Sequence, residues 1–254
     1  MSGAITLTSA GGVGQVVLNR PPLNVLDHAT LDELAGALHQ VRRDRSVRVL
    51  AISGAGKAFC AGADVGDHLP GRVERMLPAF SAVLGALADV EVPTVALVHG
   101  TALGGGMELA LACDVVLCSE AAKLGQPETQ LGVFPPAAAV LLPRLVGRQR
   151  ALDLILTGRT ISAREALELG IVTRVWPADS FVREAEQYLA ALAALSSPAL
   201  RLAKRAVDGA AGLAHRPALK FAERVYLDEL MRHSDPEEGL TAFLEKRAPV
   251  WSHS

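Results

Sequence analysis

Two glutamates carry the chemistry this sequence can support. Glu108 stands two positions after the glycine run Gly104-Gly105-Gly106, and Glu128 follows twenty residues later in the turn-like segment GQPETQLG. A glycine run that opens a helix can turn bare backbone N–H groups toward negative charge. Carboxylates beside such donors are what proton transfer next to a stabilised anion needs. Met107, Leu109, Ala110, Leu111 and Ala112 leave the helix no polar face, so it is expected to be buried all round. On a surface helix a first-turn glutamate merely favours the dipole. In a buried helix it is costly without a partner or a function, and burial pushes its pKa up toward the acid/base range. For Glu128 exposure is the default expectation. Its return to the start of the helix is feasible but not demanded by spacing.

The elements that must position these groups can be read in order. Residues Ala4 to Thr8 and Val13 to Leu18 alternate around Gly11-Gly12 and predict a β-hairpin. Asp27 caps a predicted helix running to about Arg43. Strands are expected at Val47 to Ser53, Thr94 to Val98 and Asp114 to Cys118, and helices at about Arg72 to Ala88 and from Gly104. Strand, glycine-rich loop and helix recur at roughly 45-residue intervals, with GAGKAFCAGAD and HGTALGGGMEL at corresponding places. That rhythm predicts an α/β fold of stacked ββα turns with loops gathered at one end. ISAREALELGIV gives a helix ended by Gly170 and a strand through Val175. From Phe181 onward helices are expected at Phe181 to Leu195, Pro198 to Gly209, Pro217 to His233 and Pro236 to Arg247. The chain thus divides into a core, residues 1–196, and a helical appendage, residues 197–254. Such an appendage rarely forms a core alone and should pack on the main domain or on another subunit.

Composition removes several function classes. Half of the 254 residues are hydrophobic and 20% are charged, which describes a well-packed globular chain. With 4% aromatics and a net charge of −2, no nucleic-acid surface is expected. Arg42, Arg43, Arg45 and Arg48 read as a solvated helix end. No secretory signal and no membrane span is apparent. Cys60, Cys113 and Cys118 have neither zinc nor disulfide spacing and read as buried reduced thiols of a cytoplasmic protein. No metal is expected, because the seven histidines form no HxxxH or HExxH pair. GAGKAF is not a phosphate loop: Ala51 stands where its first glycine belongs and Ala58 where Ser or Thr must follow Lys57. A dinucleotide fingerprint fails too, since Gly54 and Gly56 lead into more loop rather than a helix.

The segments GAGKAFCAGADV, HGTALGGGMELALACD and KLGQPETQLGVFP resemble the enoyl-CoA hydratase/isomerase (crotonase) family, and the likeness runs from NRPPLNVL to AFLEKRAPVW. The resemblance implies a crotonase-like spiral of ββα units with a C-terminal helical trimerisation region, assembled as a trimer or a dimer of trimers. It implies an oxyanion hole of the Ala61 and Gly105 backbone N–H groups around a thioester carbonyl, with Glu108 and Glu128 as the catalytic pair. Retention of both carboxylates favours hydration, since relatives that isomerise or hydrolyse commonly lack one. The loop Ala61, Gly62, Ala63, Asp64, Val65 would embrace coenzyme A, with Leu23 opposite, and Gly104, Phe134 and Pro135 would complete the substrate site. Phe243 and Lys246 match positions that reach the adenine end from a neighbouring subunit; a solvated lysine beside Glu245 is an equal reading of Lys246.

Two departures stand out. Pro135-Pro136 replaces the glycine-rich turn of short-chain hydratases and, with Phe134 and Ala137 to Val140, would reshape the acyl pocket. This FPPAA segment is similar to that of cyclohexa-1,5-diene-1-carbonyl-CoA hydratases. The RPPLN turn also lacks a basic residue where many relatives carry one near the phosphates. The expected activity is reversible addition of water to an enoyl-CoA or cyclic dienoyl-CoA, in fatty acid or aromatic acid metabolism, with coenzyme A as part of the substrate and no separate cofactor. An isomerase or thioester hydrolase on the same fold is the alternative, and a non-catalytic acyl-CoA-binding oligomer is the reading from a different class.

Overall fold

The structure, a computed structural model, describes residues 3–253. The outermost residues of the two expected segments, 1, 2 and 254, lie outside that description. The hairpin forms as predicted: β1 (Ile5–Ala10) pairs antiparallel with β2 (Val13–Leu18) across Gly11 and Gly12, both at positive φ. Asp27 caps α1 (His28–Arg43), its side chain accepting from the Thr30 N–H. From there the chain makes three passes through two sheets. The first is β3 (Val49–Gly54), β4 (Ala58–Cys60) and α2 (Val73–Ala88). The second is β5 (Thr94–Val98), β6 (Thr101–Leu103) and α3 (Gly105–Leu111). The third is β7 (Val115–Ser119), β8 (Lys123–Gly125) and α4 (Pro136–Val146).

One strand of each pass enters a six-stranded sheet of order β1-β2-β3-β5-β7-β10, and the next enters a four-stranded sheet of order β4-β6-β8-β9. This crossing from sheet to sheet before each helix is the crotonase-like spiral. Among the described residues, only the β1–β2 and β8–β9 pairs are antiparallel. The second pass is shorter than the first, because α3 has 7 residues where α2 has 16 and because the first pass inserts a 3-10 turn, Val65–His68, ahead of its helix. The segments GAGKAFCAGAD and HGTALGGGMEL contain short strands, β4 and β6, which the sequence reading did not place; in the second it expected only the helix from Gly104. Three residues are too few to show a period, and all of β4 is buried.

After α4 come α5 (Arg148–Thr157), β9 (Thr160–Ser162), α6 (Ala163–Glu168), β10 (Arg174–Trp176) and α7 (Phe181–Ala193). Phe181, Leu189 and Ala193 of α7 pack with Val49, Ala51, Val95 and Leu117, so the large sheet is covered on that face. On its other face the core includes Leu34, Ile52, Phe59, Leu87 and Met107, all fully buried. The parallel strands accordingly read as near-continuous apolar runs. Arg48 is not merely part of a solvated helix end: it donates to the carbonyls of Gly11 and Ala193, fastening the hairpin turn to α7.

The last segment holds α8 (Ser197–Ala210), α9 (His215–Arg224) and α10 (Asp235–Leu244), with Ser196 capping α8 through the Ala199 N–H. The expected Pro217 to His233 helix is broken, because after Arg224 the backbone passes through a π-helical turn and a 3-10 turn. Val207, Leu219, Leu227, Leu240, Phe243 and Leu244 are all exposed here. Among the described residues, no helix is long and apolar enough to cross a membrane.

Candidate active site

The glycine run works by conformation and by closeness. Gly104 has φ +51°, which L side chains rarely adopt, and a Cβ there would stand 2.5 Å from Glu128 Oε1. At Gly106 a Cβ would collide with the Cys60 carbonyl. Gly-Gly-Gly therefore lets the start of α3 press against β4 and admits the Glu128 carboxylate beside it. As first residue of α3, Gly105 has no acceptor for its N–H within the helix.

The partner for that N–H comes from the loop after β4, and it is not the residue expected from sequence. The Ala61 N–H donates to the Leu23 carbonyl at 2.9 Å, so it is spent and cannot serve an oxyanion. Ala63 is different. It forms a parallel bridge with Leu26, in which the Gly62 carbonyl accepts from the Leu26 N–H and the Asp64 N–H donates to the Leu26 carbonyl. In a parallel ladder that pattern engages the flanking groups and turns the central residue's own N–H the other way. Among the described residues neither the Ala63 nor the Gly105 N–H has an acceptor. A Cβ at Gly105 would stand 3.2 Å from the Ala63 nitrogen, so the two donors sit side by side. The two neighbouring N–H groups left without an acceptor are thus those of Ala63 and Gly105, where the sequence reading had paired Ala61 with Gly105.

Glu108 occupies the first turn of α3 with 3% of its surface exposed. Its Oε1 accepts from the Ala138 N–H at 2.8 Å. Ala138 is the third residue of α4, and Pro136, the first, has no N–H, a residue suited to that position. Sequence reading made Phe134 to Val140 a pocket wall; the structure makes it also the helix end that holds Glu108. Desolvation raises the Glu108 pKa, and the N–H groups of Ala138 and Ala137 oppose that rise.

Glu128 lies in the 3-10 turn Pro127–Leu131 and is 9% exposed, against the exposure expected of a turn. Its pKa is pushed up to about 7, chiefly by desolvation and further by the Glu108 charge. Gln126 is fully buried beside it and escaped sequence reading. With its amide nitrogen turned inward, Gln126 lies 3.2 Å from each Glu128 carboxylate oxygen. The opposite orientation presents the amide oxygen, which suits a protonated Glu128. Gln126 can therefore partner the group in either state.

Both glutamates line one cavity of about 520 Å³, together with Ala61, Gly62, Ala63, Val65, Gly104, Gly105, Phe134 and Pro135. Four expected residues are not on its wall. Asp64 instead caps the 3-10 turn Val65–His68 through the Gly66 N–H, and Leu23 contributes its carbonyl to Ala61. Phe243 is 82% exposed, at the end of α10, and Lys246 follows that helix with φ +58°. A second cleft, about 540 Å³, lies between α8 and the end of α2, but its charges face one another, as in Arg201 with Glu91. Apolar walls, two raised carboxyls and two free N–H groups distinguish the first cavity as the place for chemistry. Burial pushes the Cys60 and Cys118 thiols up to about 12, which keeps both protonated near neutral pH.

Residues 8–254 match the family model described as enoyl-CoA hydratase/isomerase. The chain is 41% identical over 244 residues to a probable enoyl-CoA hydratase of Mycobacterium tuberculosis, covering 95% of each. It is 34% identical over 251 residues to cyclohexa-1,5-dienecarbonyl-CoA hydratase of Thauera aromatica, covering 98% of this chain and 96% of that protein. The crystal structure of enoyl-CoA hydratase from Bacillus anthracis superposes with a TM-score of 0.93 at 37% identity, over 99% of this chain and all of that one.

Proposed function

The chain belongs to the enoyl-CoA hydratase/isomerase family, and from that premise we propose that it adds water reversibly across the C=C bond of an enoyl-CoA thioester. One observation carries the reading: two buried carboxyls share a cavity with two unspent N–H groups. The thioester oxygen lies between the Ala63 and Gly105 N–H groups, which meet the charge that develops as the enolate forms. Each such donor contributes about 3–4 kcal/mol to the transition state. Glu108, held by the α4 donors, acts as carboxylate and takes a proton from the attacking water, whose oxygen bonds to C3. Glu128, whose pKa is pushed up to about 7, supplies the proton to C2. Passage of a proton from Glu108 back to Glu128 resets the pair, and the reverse sequence dehydrates the 3-hydroxyacyl thioester.

Coenzyme A is part of the substrate in this reading and no separate cofactor takes part. The loop from Ala61 to Val65 lies along its pantetheine arm. The exposed apolar side chains of the appendage support self-association as a homotrimer or a dimer of trimers, with Phe243 and Lys246 reaching the adenine end of a neighbour's ligand. Residues 3–196 then form the catalytic core, residues 197–253 the assembly region, and the enzyme is cytoplasmic. Incubation with crotonyl-CoA tests the activity. Loss of the conjugated-thioester absorbance without release of free thiol is expected, whereas thiol release would identify a hydrolase. An unchanged spectrum at every enoyl-CoA tried would end the hydratase reading.

A further inference from the structure

The arginines at the end of α1 meet a second set of charges that the sequence keeps far away. α1 leads into β3 and α2 into β5, and those strands pair in parallel, so both connecting segments lie at one edge of the large sheet. α8 crosses that edge. Its Lys204 ion-pairs with Asp114 at 2.8 Å and donates to the Val92 carbonyl. Arg201, three positions earlier on the same helix face, reaches Glu91 in the segment before β5. A cavity of about 370 Å³ lies between the end of α1, this segment and α8. The 540 Å³ cleft beside α8 joins it, and Arg45, Val90, Glu91 and Arg201 line both.

Positive charge is left over at this junction. Arg42, Arg43, Arg45 and Arg201 line the smaller cavity against the carboxylates of Asp44 and Glu91. Arg42 donates to Asp89, and Asp44 accepts from the N–H and hydroxyl of Ser46. Glu91 therefore remains for the other arginines, and it serves them poorly. One of its oxygens stands 3.9 Å from a nitrogen of Arg45 and 3.9 Å from a nitrogen of Arg201, too far for a hydrogen bond to either. The Arg201 side chain is only 20% exposed, yet among the described residues its guanidinium makes no hydrogen bond. Such a covered, unbonded fork suits an oxyanion. We infer that the junction binds the phosphate of a phosphate monoester, with Arg45 and Arg201 each bonding one phosphate oxygen. The two nitrogens lie within about 8 Å of each other across the Glu91 oxygen, a gap that a tetrahedral anion with one charge-assisted bond on each side spans. Glu91, 71% exposed, turns out to water as the anion enters, and an exposed ion pair is weak enough to yield. Pro198, Leu202 and Phe221 line the cleft on the α8 side and offer the esterified body an apolar seat. None of these residues lines the catalytic cavity, so occupation of the junction is independent of the acyl-CoA reading.

Phenyl phosphate and inorganic phosphate are the probes, titrated calorimetrically into the full chain, with sodium chloride at matched ionic strength as the control for screening. Phenyl phosphate should bind at least about tenfold more tightly than inorganic phosphate, the effect of half burying a ring, and chloride should give no saturable heat. Arg201→Gln should weaken phenyl phosphate at least about tenfold, as loss of a charge-assisted bond does. Arg45→Gln changes a side chain that is 79% exposed, where folding tolerates it, and should weaken binding about threefold or more. Glu91→Gln removes the internal competitor and should tighten binding about two- to fivefold. These opposite signs separate a binding site from a general loss of folding. Equal affinity for the two phosphates would overturn the monoester. Absence of saturable binding, wild-type affinity in both arginine variants, or no tightening in Glu91→Gln would overturn the junction as the site.

Discussion

Glu108 and Glu128 are the same residue type facing the same cavity, yet their surroundings work in opposite senses. Glu108 sits on a helix buried all round and meets the N-terminal end of a second helix, whose N–H groups favour its charged form. Glu128 sits on a 3-10 turn beside one buried amide that can face it either way. A fixed set of donors suits a base that must be ionised when water arrives. A reversible partner suits an acid that must exchange its proton. Two carboxyls of unlike environment can thus divide roles that their sequence contexts leave shared.

The widest break in this comparison comes from removing either carboxyl. Glu108→Gln and Glu128→Gln are each expected to lower kcat for crotonyl-CoA hydration at least about 100-fold, the scale of general acid/base catalysis. A near wild-type rate in either variant would remove that residue from the pair. A smaller loss, about 10-fold in kcat, is expected for Gln126→Leu, which leaves a buried carboxyl without its partner. The inward amide nitrogen can donate to both oxygens of the charged form, whereas the opposite orientation offers the protonated form a single bond. Loss of Gln126 should therefore raise the Glu128 pKa and move the alkaline limb of hydration to higher pH. A limb that stays in place would make Gln126 a packing residue only.

Stability sharpens the contrast through linkage. The folded-state pKa of Glu128 lies near 7, above its ordinary value of 4.5. Between those values the unfolded chain releases its proton first, so stability falls as pH rises and the loss is complete above about pH 7. Relative to wild type, Glu128→Gln should therefore gain roughly 1–3 kcal/mol between pH 4 and pH 8. Urea melts at both pH values would read this, and a gap independent of pH would show that Glu128 titrates normally. The smallest effect is expected at the tip of α4. Pro136→Gly loosens the helix start that aims the Ala137 and Ala138 N–H groups at Glu108, whose pKa should then rise. Helix-end effects of about 0.3–1 kcal/mol predict an acid limb moved up by less than about one pH unit. A change in KM alone would assign Pro136 to the pocket wall instead.

Much of the scaffold was legible because its signals are local. The β1–β2 hairpin follows from alternation around two glycines, α1 from the Asp27 cap, and the burial of Glu108 from the apolar run that surrounds it. The first residue of α4 could have been read as well, since proline is favoured at that position. Other features had no local signal. Gln126 stands in a polar turn, and only the tertiary packing that brings Glu128 beside Gly104 buries the two side chains together.

By itself the sequence determined the residue types: two glutamates, a glycine run that brooks no side chain, and the order of segments that places the chain in its family. The tertiary structure decided which groups are free to act. Ala61 and Ala63 are identical in kind and two positions apart, and what separates them is pairing with a segment nearly forty residues earlier. Leu23 takes the Ala61 N–H, while Leu26 engages the neighbours of Ala63 and leaves that residue's own N–H unspent. Whether a donor is free depends on where its possible acceptors end up, and only the folded chain brings those together.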